Sequence, residues 1–455
     1  MSQPLLIEHG SIIDGTGSAP VSAALLVIGE TIAAIGDEAV ARAAQMPRVE
    51  RHDATGCTVM PGLIDTHCHL SFVDASSNAE RFTHRRNALS ALVAAYNARK
   101  LLRAGVTSIL DPDSLFENMI DLRDAIEAGV TPGPRMSCGS YSLMTAVGGT
   151  AGRLIADQGV TGYARVLNSR DELVSEVRRQ IKYGADWIKV HVTGVIPRQA
   201  HKGELSVWSF DELKLLCDVA HDLGTPVMGH CRGATSVRDA ARAGFDLLFH
   251  ATGMDEEALE AVVARRVPIS PALTFQANMV DFSHRLGTDA ALRALFEREI
   301  TDSAETLIRA RKAGVPLLCG SESGFSMVPY GHWHYREMEV FVRYLGMTNL
   351  EALACGTSAG AFAMKMEGQI GTLKPGYQAD MICVRGDPSQ DVTILGETDR
   401  IRMVMIGGQQ MDLSPPPPRK RLSGWTIATM GTQLTRELAF SNRRDDAPVE
   451  IEELH

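Results

Sequence analysis

Several things are missing from this 455-residue chain, and each absence removes a class of function. There is no excess of positive charge: the formal net charge is −10, and the one short basic block, "RKR" at 419–421, follows four prolines. A nucleic-acid partner is therefore not expected. No apolar run reaches the roughly 20 residues that cross a bilayer, so no membrane span is expected. The opening "MSQPLLIEHGSIIDG" shows no basic region leading into a long apolar run and cleavage site, and no signal peptide is read there. The eight cysteines are scattered, with no CxxC pair, which suits a reduced, cytoplasmic enzyme better than a disulfide framework. No glycine-rich dinucleotide fingerprint is found, which argues against a nucleotide-binding open sheet.

What is present has a clear texture. Composition is ordinary for a globular chain, 45% apolar and 22% charged, enough for a large core. Residues 1–59 read as short strands broken at glycines. From 60 to 365, eight short apolar runs alternate with amphipathic helical stretches: "VMPGLIDTH", "GVTSILD", "GPRMSCGSY", "DWIKVHV", "TPVMGHC", "DLLFHAT", "VPISPALT" and "VPLLCGSES". In "SFDELKLLCDVAHDLG", Ser209 is an N-cap, Glu212 completes a capping box and Gly224 is the stop. Eight strand–helix units predict an α/β fold, a (β/α)8 TIM barrel with its chemistry at the carboxyl ends of the strands. Residues 366–412 return to strand texture and are expected to join 1–59 in a small β-sandwich built from both chain ends. Residues 413–455 read as a proline-rich linker and tail.

Polar groups at the ends of buried strands are costly unless they act together. His67 and His69, two apart, share one face of a strand. Lys189, His230, His250 and Glu322 end or follow later runs. Imidazoles and a carboxylate suit zinc or a similar divalent ion. An ammonium does not, but burial lowers a lysine's pKa, and a neutral amine can take up carbon dioxide to form an anionic carbamate. Such a group can bridge two ions, and two ions roughly 3.5–4 Å apart can share one hydroxide and polarise a carbonyl.

The blander readings are a structural histidine pair, a lysine paired with a carboxylate and a salt-bridged Glu322. His191, two residues after Lys189, is either a substrate contact or packing. Tyr141 and Arg232 are weaker candidates for orienting a substrate. His332 and His334 in "YGHWHYRE" lie on a loop, where a lid or substrate contact competes with a structural role. Cys68, Cys231 and Cys319 are expected to pack.

The pattern resembles the amidohydrolase superfamily, in its imidazolonepropionase-like and prolidase-like subgroup. "PGLIDTHCHL", "GADWIKVHVTG", "AHDLGTPVMGHC", "GFDLLFHAT" and "GTLKPGYQADMICVRGDP" carry the resemblance, which spans roughly residues 4–412. It implies that His67 and His69 bind the more buried metal, that carboxylated Lys189 bridges both, and that His230 and His250 bind the second. It further implies that the residue at 322 touches the first metal and serves as general base. Two positions depart from the family pattern. Glu322 stands where aspartate is usual, and "AVGGTAG" places Thr150 where relatives have the histidine of Gly-Gly-His. The expected enzyme is a binuclear zinc amidohydrolase, a homo-oligomer, cleaving an N-acyl amino acid or dipeptide, Xaa-Pro types included. Alternative substrates are aryl amides, ureas, carbamates or a lactam such as imidazolonepropionate. A catalytically inactive assembly protein on the same fold is the alternative outside enzymology.

Overall fold

The strand "VTSILD" is buried along its whole length, as a strand covered on both faces must be. It is Val106–Asp111, and it lies parallel between Leu63–Asp65 and Arg135–Cys138. The computed structural model describes residues 3–72, 87–148, 155–194, 204–287, 290–417 and 433–441. In a second set, Ser142–Met144, Ile188–His191, Val227–Arg232, Leu247–Thr252 and Ile269–Ser270 run parallel in that order. The backbone N–H groups of Asp186 and Trp187 donate to Cys138 O and join the two sets. On the far side Ile269 bridges Leu317 in parallel, and Thr66 N donates to Cys319 O, back beside the first strand. The result is an α/β fold around a parallel, barrel-like sheet.

The last two runs form less strand than the sequence suggests. "VPISPALT" contributes only Ile269–Ser270, and "VPLLCGSES" only isolated bridges, among them Leu317 to Ile269 and Ser323 to Cys68. Their prolines explain this. Pro268 and Pro316 lack an N–H and enter the sheet as acceptors alone, from Leu248 N and Ile269 N. Where the first two strands meet, Gly62 is required by space: a Cβ there would lie 2.1 Å from the Thr107 side chain.

Helices alternate with the strands and bury one stripe each. In Phe210–His221 the buried residues are Leu213, Leu216, Cys217 and Ala220, spaced as one helical face demands. Ser209 and Glu212 form the expected capping box. The 23-residue helix Ala290–Lys312 is the longest described. No helix among the described residues is long and apolar enough to cross a membrane.

Both ends of the chain build the accessory sheets. One has the order Thr31–Ile35, Leu25–Ile28, Leu5–Glu8, Glu50–Asp53. In the other, Met381–Arg385 lies antiparallel to Cys57–Pro61, so C-terminal strands sit beside N-terminal ones. Leu5, Ile7, Leu25 and Val27 of the first sheet share a core with Val59, Met381 and Met403 of the second. Arg135 of the central sheet pairs with the buried Asp380 at 2.6 Å. The described parts of the tail lie against their own chain. Arg103 Nε donates to Leu413 O, and Trp333 Nε1 donates to Leu434 O at 2.7 Å. All eight cysteines are unpaired, and Cys68, Cys231 and Cys319 are buried as packing residues.

Candidate active site

The strand Leu63–Asp65 runs directly into His67 and His69, and both rings are buried, with centroids 4.9 Å apart. Asp65 holds this turn. It accepts from His67 N and Ser321 N, and His334 Nδ1 lies 2.7 Å from its Oδ2. From the adjoining strands come Lys189, His191, His230 and His250. The His67 ring is 5.4 Å from that of His250, which is 4.6 Å from that of His230. Ligand atoms of His67, His250 and Glu322 lie within 4.8 Å of one another. His250 and Glu322 have φ of 65° and 57°, a left-handed backbone that non-glycine residues seldom adopt and that is enriched at functional sites. Glu322 N donates to His67 O at 2.7 Å and fixes the last loop against the first strand.

Two carboxylates not anticipated from the sequence, the buried Asp113 and the partly buried Glu204, orient the histidines. His69 Nδ1 lies 2.9 Å from Asp113 Oδ1 and 3.1 Å from the Asp113 carbonyl oxygen. Both are acceptors, so Nδ1 carries the hydrogen and Nε2 keeps its lone pair. Asp113 Oδ2 is also 3.0 Å from His191 Nε2. His230 Nε2 points to Glu204 Oε2, which leaves Nδ1 turned toward His250 Nε2 at 3.0 Å. Asp113 had a signal in the sequence, since "DPD" puts it two residues beyond Asp111. Glu204 had none.

The electrostatics suit cation binding. Burial holds His67 well below the usual imidazole range, with Lys189 and His69 adding to the effect. It does the same to His250, helped by Arg232, and lowers His230 to about 4 against the pull of Glu204. These rings are neutral at neutral pH and can act as ligands. Burial also lowers Lys189, although Asp113 and Glu322 oppose it. The Lys189 ammonium sits 4.1 Å above the Phe249 ring centroid, and among the described residues no carboxylate lies within ion-pairing distance. His67 Nδ1 is buried without a hydrogen-bond partner among the described residues. Neutral imidazoles, a carboxylate, a buried lysine without a direct ion pair among the described residues and an orphaned ring nitrogen in one place fit divalent ions better than they fit a packed core.

Two of the other candidates stand close by. The His191 ring stacks on His230 at 4.7 Å, and Arg232 Nη2 is 3.5 Å from His250 Nδ1. Arg232 is already paired with Glu299 and lies 3.7 Å from Glu204. The remaining two have other partners. Tyr141 donates its hydroxyl to Glu176 at 2.5 Å and accepts from Arg179, both on the helix Arg170–Lys182. His332 Nδ1 accepts from Arg436 N and lies 3.8 Å from Glu437 in the C-terminal segment. Thr150 lies outside the described residues. A second group, Asp65, Cys68 and His334, also has metal-ligand spacing. Its Asp65 and His334 are taken up by each other, and His334 Nε2 accepts from Gly331 N.

The sequence pattern of the amidohydrolase family matches residues 58–411. The ochratoxinase of Aspergillus niger is 26% identical over 430 residues, 89% of this chain and 86% of its own. A crystal structure of a Xaa-Pro dipeptidase with methionine bound in its active site superposes with a TM-score of 0.76 at 25% identity, covering 90% of this chain and 100% of its own. The crystal structure of the A. niger ochratoxinase gives a TM-score of 0.77 at 23% identity, over 90% and 95% of the two chains, which bears on the fold alone. With the family pattern spanning most of its length and a cluster of candidate metal ligands in its structure, the chain belongs to the amidohydrolase family, as a metal-dependent enzyme acting on C–N bonds.

Proposed function

We propose that the protein is a binuclear hydrolase of amide-type bonds, with N-acyl amino acids or dipeptides, Xaa-Pro types included, as its substrate class. Its fold is read as a (β/α)8 barrel over residues 60–365. Residues 1–59 and 366–412 form the β-sandwich, and 413–455 the tail. A cytoplasmic homo-oligomer is the expected form. The observation that carries the reading is the convergence of His67, His250 and Glu322 within 4.8 Å, beside the buried Lys189.

His67, His69, His230 and His250 would hold the ions, zinc being the best match to imidazole ligands, and Lys189, carboxylated, would supply a further anionic ligand. Bound divalent ions would polarise the scissile carbonyl and bring the pKa of water down to about 7. Glu322 takes a proton from the attacking water and returns it to the departing amine. Burial raises the Glu322 carboxyl, against Arg232, His69 and Lys189, and so brings it closer to the range a general base needs. The extra methylene relative to aspartate does not carry this carboxylate out of the cluster, which counts against an inactive assembly protein. Asp113 and Glu204 hold His69 and His230 in the tautomers that ligation requires.

The test is metal analysis of the purified protein together with a panel of N-acyl amino acids, Xaa-Pro dipeptides and aryl amides. Amine release that disappears with chelation and returns with zinc is expected. An ion-loaded protein that releases amine from none of them would sink the reading.

A further inference from the structure

Beside the candidate metal cluster the protein assembles an aromatic wall from segments far apart in sequence. Phe72 ends the short helix Leu70–Phe72, three residues after His69, and its ring lies parallel on that of His69 at 4.3 Å. Phe325, three residues after Glu322, stands edge-on to His69 at 6.1 Å and to Phe72 at 5.8 Å. Phe275, on the helix that follows strand Ile269–Ser270, lies 5.9 Å from Phe325, and Phe296 lies 5.9 Å from Phe275. Tyr163 flanks the other side, 6.0 Å from Phe72 and 5.6 Å from His191. These separations are those of offset and edge-to-face aromatic packing.

Burial divides the array in two. Phe72 and Tyr163 are 3% and 2% exposed and form its base, backed by Leu115, Met144 and Ile155. Phe325, Phe275 and Phe296 are only partly buried. This row of partly buried phenyl rings begins beside His69 and so adjoins the candidate metal cluster, next to which a scissile bond would sit. The nearby cation gives no competing signal. Arg232 is closed by Glu299 and Glu204, so its charge is already met inside the protein.

We infer that this wall is a substrate subsite for an aromatic ring directly flanking the scissile C–N bond, so that aroyl or aryl amides are favoured over amides of small acyl groups. The inference rests on the hydrolase reading above. It is tested apart from turnover by binding of product-like acids to the zinc-loaded protein, with acetate, benzoate and 2-naphthoate followed by ligand-observed NMR titration. Benzoate and naphthoate should bind roughly 10-fold or more tightly than acetate. Phe325→Leu and Phe275→Leu keep apolar volume but remove a ring. Each should weaken benzoate about 3- to 10-fold and leave acetate unchanged. In parallel, N-benzoyl and N-acetyl derivatives of one amine should differ in kcat/KM in the same direction. Equal binding of acetate and benzoate, or a benzoate preference untouched in both variants, overturns the subsite. An aromatic preference in binding with no amine released from any amide upholds the subsite and defeats the hydrolase reading instead.

Discussion

His230 Nε2 stands 2.8 Å from Glu204 Oε2, and the opposite nitrogen of the same ring stands 3.0 Å from His250 Nε2. A carboxylate can only accept, so Glu204 fixes the hydrogen on Nε2 and turns the Nδ1 lone pair inward. Thr193 Oγ1 donates to the same carboxylate oxygen at 2.7 Å and holds it in place. Glu204→Ala is expected to lower zinc affinity about 10- to 100-fold, read by competition with a chromogenic chelator. Glu204→Gln should fall between, because its amide oxygen still accepts from Nε2 but brings no charge. Unchanged affinity in the alanine variant would remove Glu204 from this role.

Lys189 is buried at 1% exposure on the face of Phe249, and its charge meets no carboxylate at contact distance among the described residues. If it bridges the ions as a carbamate, Lys189→Ala should lose at least one equivalent of zinc and most activity. Millimolar formate, acetate or propionate should restore part of both. Full zinc content and full turnover in the untreated variant would eliminate the bridge.

Glu322→Gln separates ligation from proton transfer, since the amide keeps an oxygen for the metal but cannot take a proton. Zinc content should stay near that of the parent, while kcat falls by about 10²- to 10⁴-fold. Turnover within a factor of two of the parent would place the base elsewhere.

Regular features of the sequence were the easiest to read. The alternation of apolar runs and amphipathic stretches marked the barrel-like sheet, and the Ser209–Glu212 box marked a helix start at the right residue. His67 and His69 were legible as a pair following an apolar run, but not on a shared strand face as expected: the strand ends at Asp65, and the turn that Asp65 holds brings the two rings together. The carboxylates that orient them were harder. Glu204 reaches His230 across 26 positions, and His334 reaches Asp65 across 269, separations that only the folded, barrel-like sheet turns into contacts. Tyr141 shows the converse. It follows a strand end as a substrate contact would, yet Glu176 and Arg179 claim its hydroxyl.

A final prediction concerns stability, through a carboxyl that the cluster does not use. Glu337, on the helix Arg336–Leu345, is fully buried and accepts from Leu273 N at 2.9 Å and Thr274 Oγ1 at 2.7 Å. It thereby ties this helix to the turn after strand Ile269–Ser270. Burial outweighs these hydrogen bonds and raises the carboxyl to about 8 from an ordinary 4.5. The folded state thus holds the proton more tightly than the unfolded chain. Its contribution to stability is full below pH 4.5 and is lost progressively as the pH rises through 8. Glu337→Gln removes this titration, keeps an oxygen to accept from Leu273 N, and places its NH2 where it can donate to Thr274 Oγ1 once that hydroxyl turns. Denaturant unfolding of the two proteins between pH 5 and 9 should show the parent losing stability relative to the variant, at a slope approaching about 1.4 kcal/mol per pH unit. Curves that stay parallel over that interval would mean that Glu337 is already ionised when buried. The two hydrogen bonds would then outweigh desolvation, the reverse of the balance inferred from its surroundings.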